Sequence, residues 1–279
     1  MNNAATSPAL ATNARSVGEP LLRVISLGAG VQSSTLLLMA LRGEFEDAPD
    51  CAIFADTQWE SKATYRHLEF LEREAEKYHF PILRVTAGDI RQSEWNKMPL
   101  FVRNLEGEAG MLNRQCTQAY KLAPINRKIR ELVGLKKGAR SNGAVCELWL
   151  NISLDEASRM RDSREKWKTH RYPLIEKLLR RADCLEWLAV NDYPQPSKSA
   201  CLGCPFHSAR QWRELKQNAD EWREIVEYDE QIRCGVKSGT CEAFLHQSLK
   251  PISEVDFRTA EELGQLNLFL NECEGLCGV

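Results

Sequence analysis

Short apolar runs alternate along the N-terminal half of the chain with stretches whose apolar positions recur every three to four residues. Leu21–Ile25 predicts a buried strand, Ser26–Gly30 a glycine-rich turn, and Ser33–Leu41 a helix. Cys51–Ala55 predicts a second strand that ends at Asp56 and Thr57. Between Ser61 and Tyr78 the residues Tyr65, Leu68, Leu71 and Ala75 recur at helical spacing, and Pro81–Val85 predicts a third strand. Strand, helix, strand, helix, strand at these lengths implies right-handed crossovers and a parallel sheet.

Residues 87–115 show no clean period and are expected to form a long loop, a lid or substrate loop by its length. Pro124 suits the first turn of a helix ending near Gly134, and Val145–Ile152 is strand-like. Ser153, Leu154, Asp155 and Glu156 match a capping box, which predicts a helix carrying Arg159 and Arg161. A further helix is expected over Leu178–Val190, before the break at Tyr193-Pro194-Gln195-Pro196. Beyond it, Trp212, Leu215, Ala219, Trp222 and Val226 form a helical stripe that reads as core packing. The expected organisation is a disordered tail over 1–20, a nucleotide-binding domain over 21–195, and a metal-binding helical region over 196–279.

Charge narrows the partners only slightly. The chain has 37 Lys+Arg against 39 Asp+Glu, a formal net charge of −2, so no global basic excess advertises nucleic acid. No apolar run reaches the roughly 18–20 residues of a membrane span. Met1–Pro20 lacks the basic start and apolar core of a secretory signal, so a cytoplasmic protein with no membrane partner is expected. In that setting ten cysteines point to metal binding or redox chemistry rather than to a disulfide framework.

A strand running through Ser26, Gly28 and Gly30 into a helix with Ser33 and Ser34 in its first turn is an arrangement for binding phosphate. Glycines let the backbone approach an anion, and free helix N–H groups favour negative charge. No Gly-Lys-Ser/Thr follows, so it is not a Walker A loop; the third glycine of a dinucleotide fingerprint is replaced by Ser33. Asp56 closes the second strand, where it can contact an adenosine group or a metal-bound phosphate. Lys121, Arg127, Arg159, Arg161 and Lys198 are candidates to bind the phosphate or sulfate of a substrate. His207 and His246 are candidates for acid–base work or ligation. Cys201-Leu202-Gly203-Cys204 followed by Pro205 places two thiols in one tight turn, a pattern shared by iron–sulfur sites, structural zinc and redox pairs.

With these residues the chain resembles the PP-loop ATP pyrophosphatases (adenine nucleotide alpha hydrolase-like), and among them the adenylyl-sulfate and phosphoadenylyl-sulfate reductase family. The family's Ser-Gly-Gly-x-Asp-Ser-like turn corresponds to the run from Ser26 to Ser34, with Gln32 at the acidic position. The resemblance implies an α/β fold, a parallel sheet with helices on both faces, followed by a small helical region containing cysteines. It also implies a [4Fe-4S] cluster on Cys116, Cys201 and Cys204. Gln115 and Cys116 stand where the reductases have a Cys-Cys pair, so three of four ligands match; either one iron is left open, or Cys273 or Cys277 completes the set. The tail Glu272-Cys273-Glu274-Gly275-Leu276-Cys277 is similar to the reductases' Glu-Cys-Gly-Leu/Ile-His tail, whose cysteine attacks sulfur. Cys273, Cys277 and Lys121 are therefore the catalytic candidates. Ser26, Gly28, Gly30, Ser33, Ser34, Asp56 and Arg159 are the nucleotide-binding ones.

The expected activity is ATP-dependent sulfur transfer, with Mg2+ as the nucleotide's counter-ion. An acceptor, such as a nucleobase in RNA or DNA, is adenylated with loss of pyrophosphate, and sulfur from the open cluster or from Cys273, replenished by a sulfur donor, displaces AMP. A reductase that forms sulfite from adenylyl sulfates, with an electron donor, is the first alternative. A non-catalytic zinc-binding module for nucleic acid is the second. A homodimer is compatible with either enzyme.

Overall fold

The computed structural model describes residues 20–92, 97–136, 138–139, 141, 143–233 and 241–258. The chain forms two compact units that interleave in sequence: residues 1–55, 63–85 and 124–199 make the first, and 56–62, 86–123 and 200–279 the second.

The first unit is an α/β layer built on a five-stranded parallel sheet flanked by helices. Its strands are β1 (Leu22–Leu27), β2 (Cys51–Asp56), β3 (Ile82–Thr86), β6 (Cys146–Trp149) and β7 (Lys168–Arg171), in the order β3-β2-β1-β6-β7. Val24 pairs with Cys51 on one side of β1 and Leu22 with Cys146 on the other. Strands buried on both faces read as continuous apolar runs, and β2, Cys-Ala-Ile-Phe-Ala-Asp, is buried through its first five residues. Alternate strand residues feed two separate cores. Ile25, Leu27, Ala52 and Phe54 pack with residues of α1 (Val31–Leu41), α2 (Lys62–Glu76) and α5 (Arg181–Val190). Leu22, Val24, Cys51 and Ile53 pack with Ile125 and Ile129 of α3 (Ala123–Leu132). Helix α2 buries Thr64, His67, Leu68, Leu71 and Ala75, the one-sided stripe its spacing predicts.

The second unit combines a small antiparallel sheet with helices. A π-helical turn over Thr117–Leu122 and the helices α6 (Ala209–Lys216) and α7 (Ala219–Arg233) accompany β4 (Phe101–Asn104), β5 (Ala109–Met111) and β8 (Cys241–Phe244). The strand order is β5-β4-β8. The Trp212 stripe is core, as expected: Trp212 is fully buried and packs with Ile225, Tyr228 and Phe257 in one cluster.

Several expectations need correction. Residues 87–115 are not a structureless loop, since they contain the β4–β5 hairpin. Four- and three-residue strands are too short for alternation to register. The C-terminal region is not purely helical, because β8 completes that sheet. Ser153 caps no α-helix: Leu154–Arg159 is a 3-10 segment, Ser153 makes no side-chain cap, and Arg161 lies beyond it. The polar strand β7 escaped the hydrophobic pattern altogether. The helix expected from Leu178 begins at Arg181 as α5, after a one-turn α4 (Pro173–Glu176) and a left-handed Leu178 with φ +57°. Among the described residues no helix is long and apolar enough to cross a membrane. Residues 1–20, expected to form a tail, lie outside the described residues except for Pro20, and Cys273 and Cys277 lie outside them as well.

Candidate nucleotide loop and cysteine centre

In the first unit the chain runs β1, β2, β3 in one direction and then returns to place β6 on the other side of β1. The order therefore switches between β1 and β6, and ligands of such sheets bind outside the carboxyl ends of the strands at that point. The Ser26–Gly30 run emerges there. Ser26 lies in β1, opposite Ile53, and Gly30 is the extended residue that opens α1. The Gly30 N–H donates to Ser33 Oγ at 3.0 Å, and Ser33 Oγ donates back to the Gly30 carbonyl at 3.1 Å. This reciprocal pair folds the first helical turn against the loop. Ser34 is fully buried, its Oγ 2.9 Å from His67 Nε2. Burial holds the His67 imidazole neutral, with its pKa lowered to about 4.

Neither glycine is demanded by the fold. A Cβ on Gly28 would meet only Ser33 Oγ at 3.7 Å, and one on Gly30 would meet Ser199 Cβ at 3.5 Å, both ordinary contacts. The left-handed residue in this turn is Ala29, with φ +53°. The missing side chains leave the loop backbone bare at the sheet's switch point, the condition for close approach of an anion.

The loop after β6 is tied to the same place. Gln32 Nε2 donates to Glu156 Oε2 at 3.2 Å and to Ser153 Oγ at 3.4 Å, and Arg159 donates to Glu156 Oε1 at 2.6 Å. The Gln32 amide is joined to a carboxylate from a segment 124 residues away. The sequence contained no signal for this pairing, because Glu156 appeared only as part of a capping box. Arg159 is thereby brought to the loop through Glu156. Asp56 ends β2, where its Oδ1 accepts the Gln58 N–H at 2.7 Å. Arg127 and Lys198 are exposed.

In the second unit the turn that follows Cys116 and the Cys201–Cys204 turn are both brought to one buried carboxylate, that of Glu60, through Lys121 and Cys201. Cys116 begins the π-helical turn whose fifth residue is Lys121. Cys201 and Cys204 lie in a turn closed by the Cys204 N–H on the Cys201 carbonyl at 3.0 Å. That turn is laid against residues 59 and 60: Leu202 N–H donates to the Trp59 carbonyl at 2.8 Å, and Cys201 bridges Glu60 in antiparallel fashion. Gly203 makes the approach possible, since a Cβ there would stand 2.1 Å from Trp59 Cη2. His207 serves this turn rather than an acid–base role, with Nε2 2.9 Å from the Cys201 carbonyl and 3.1 Å from that of Leu202. His246 pairs with Ser248 Oγ at 2.9 Å.

Glu60 is the residue that sequence reasoning missed. Its carboxylate is buried; Thr57 Oγ1 donates to Oε1 at 3.0 Å, Lys121 Nζ lies 3.7 Å away, and the Cys201 thiol points at the same oxygen from 3.7 Å. Glu60 raises the Lys121 pKa, and Cys201, Cys204 and Cys116 add to that effect, so the ammonium stands in the field of all three thiols. Burial, reinforced by Glu60, pushes the Cys201 thiol well above its ordinary range, with Lys121 and Thr57 opposing. By residue type, cysteines from two distant segments are soft donors of the kind that hold iron–sulfur or zinc centres, and Lys121 is a cation able to offset their charge. Among the described residues no three His, Cys, Asp or Glu side chains are grouped as they would be around a metal ion. Burial drives Cys51 up to about 12 and Cys184 up to about 11.

No known family model matches the chain. No curated protein matches it either.

Proposed function

We propose that the chain is an ATP-dependent sulfur-transfer enzyme of the PP-loop type, in which the first unit binds and activates the nucleotide and the second carries a thiolate-held iron–sulfur centre. The observation that carries this reading is the meeting of Cys201, from the Cys201–Cys204 turn, with Lys121, from the turn that Cys116 opens, at the buried Glu60 carboxylate. The bare glycine loop at the switch point of the first unit supports the nucleotide half.

In this reading the N–H groups of the Gly28–Gly30 loop and the first turn of α1 bind the phosphates of MgATP, and Arg159 neutralises charge on them. Ser33 and Ser34 keep the loop in shape through Gly30 and His67. A nucleobase carbonyl oxygen attacks the α-phosphorus, the bond to the pyrophosphate oxygen breaks, and pyrophosphate leaves. Sulfide, supplied by a donor, then attacks the activated carbon and AMP departs with the oxygen. A [4Fe-4S] cluster held by Cys116, Cys201 and Cys204 supplies, when bound, a soft metal site suited to sulfide. Lys121 offsets the thiolates' negative charge, Glu60 holds Lys121, and Gly203 lets the thiol turn seat on Trp59. Cys273 and Cys277 are proposed as tail thiols for relay of sulfur.

The reaction is tested by incubating anaerobically purified protein with MgATP, sulfide and candidate RNA, and measuring pyrophosphate and thiolated base. Pyrophosphate release that depends on the acceptor is the expected result. Sulfite from adenylyl sulfate, without pyrophosphate release from ATP, would replace this proposal with the reductase reading.

A further inference from the structure

The cations of the chain are not distributed as its net charge of −2 suggests. Between residues 159 and 181 there are nine lysines and arginines against three acidic residues. Some surface cations elsewhere are neutralised by a neighbour: Arg84 by Glu72, Arg210 by Glu214 and Arg258 by Asp256. Within the 159–181 stretch Arg171 is matched in that way by Asp47 and Glu176. Arg164, Lys166, Arg180 and Arg181 are all exposed and, among the described residues, make no ion pair. Exposed Arg161 spends its guanidinium on the carbonyls of Ser158 and Met160, which leaves its charge unneutralised.

The segments that carry these cations are held by local hydrogen bonds within the first unit. Arg161 N–H donates to Tyr172 Oη at 2.9 Å and Tyr172 Oη donates to the Arg161 carbonyl at 2.6 Å, pinning Arg161 to the residue that follows β7. The Leu154 N–H donates to the Leu179 carbonyl at 2.8 Å, and the Arg181 N–H to Asp155 Oδ1 at 3.1 Å, joining the 177–181 segment to the same loop. The 3-10 segment within it carries Glu156, which Gln32 links to the nucleotide loop. Unneutralised cations on a pinned backbone suit a polyanion whose charges recur along a chain.

We propose that this surface, centred on Arg161, Arg164, Lys166, Arg180 and Arg181, binds the phosphate backbone of a folded RNA whose unpaired base is the acceptor of the proposed reaction. The choice of RNA rests on the nucleobase-acceptor reading: a single-stranded loop exposes its base edges without the unstacking that a DNA duplex would require. Backbone contacts of this kind carry affinity and register, while the base is read elsewhere.

The experiment measures binding without ATP, by fluorescence anisotropy of a labelled stem-loop RNA over a salt series. The same titration is run with duplex DNA of matching sequence and with phosphatidylserine vesicles. The expected result is salt-sensitive RNA binding that weakens at least about tenfold, with a shallower salt slope, when Arg164, Lys166, Arg180 and Arg181 are all changed to Glu. The paired-cation control Arg210→Glu/Arg223→Glu should bind as the unaltered chain does. Should the quadruple variant lose its circular-dichroism melt, the neutral variant Arg164→Gln/Lys166→Gln decides, with an expected loss of about threefold. Unchanged RNA affinity in a folded variant overturns the assignment, as does equal or tighter capture of duplex DNA or vesicles. RNA binding that persists while no pyrophosphate is released leaves this surface standing and removes the reaction. Acceptor-dependent pyrophosphate release with variant-insensitive RNA binding does the reverse.

Discussion

The two units build their sites by opposite means. In the first, the candidate nucleotide loop is made of backbone: two glycines where an added methyl would make only ordinary contacts, a helix start, and serines turned inward to brace it. In the second, the candidate centre draws on side chains from three segments, with Thr57, Lys121 and Cys201 meeting at the buried Glu60 carboxylate. A backbone site is local, so it tolerates changes beneath it and depends on empty space above it. A side-chain site is assembled at long range, so it fails when any approach between segments is blocked. Substitutions at the two should therefore differ in kind.

The largest effect is expected from Gly203→Ala. The new Cβ would overlap the ring of Trp59, which is itself buried and packed edge-on against Tyr228 at 4.7 Å between centroids. A loss of about 3 kcal/mol of stability is expected in denaturant titration, together with loss of bound metal, since overpacking a closed core forces the backbone to move. A variant as stable as the parent, with metal retained, would break the claim that the thiol turn is seated on Trp59.

Acid should weaken the first unit through His67. Its folded pKa of about 4 lies below the 6.5 of the exposed side chain, so the unfolded chain binds the extra proton first. The stabilisation is full above pH 6.5 and is lost as pH falls from there towards 4, by as much as about 3 kcal/mol. In His67→Gln that slope should flatten, which urea titrations at several pH values between 7 and 4 can resolve.

Lys121→Met leaves Glu60 buried without its ammonium neighbour. Because the Lys121 side chain is 39% exposed, solvent already screens the pair, and a cost of roughly 1–2 kcal/mol is expected. The sharper readout is metal content and visible absorbance, which should fall when the cation among the three thiols is removed.

The smallest effect on stability should come from Gly28→Ala. The new methyl fits, so denaturant midpoints should hold or rise slightly, within about 1 kcal/mol. ATP affinity by calorimetry should nevertheless drop about tenfold, because the methyl enters the space left for phosphate. Equal affinity would remove the functional contrast between the two sites.

The same contrast explains what could be read from the sequence. The parallel sheet was legible because β1, β2 and α2 carry strong local patterns, and the glycine loop because its residues are contiguous. Cys116 and the Cys201–Cys204 turn were legible as residue types, but their shared neighbours were not. Nothing in the local sequence marks Glu60 as buried beside Lys121, or Glu156 as the partner of Gln32, since those pairings are separated by 61 and 124 residues. The β4–β5 hairpin and β7 escaped because their strands are short or polar, and their burial depends on tertiary neighbours.

The account rests most directly on the nature of the cysteine centre, which iron, zinc and acid-labile sulfide assays on anaerobically purified protein address in one preparation. The predicted result is brown protein with about four iron and four sulfide per chain, colourless and iron-free once Cys201 is changed to Ala. Colourless parent protein with one equivalent of zinc, or no metal at all after anaerobic reconstitution with iron and sulfide, would contradict it.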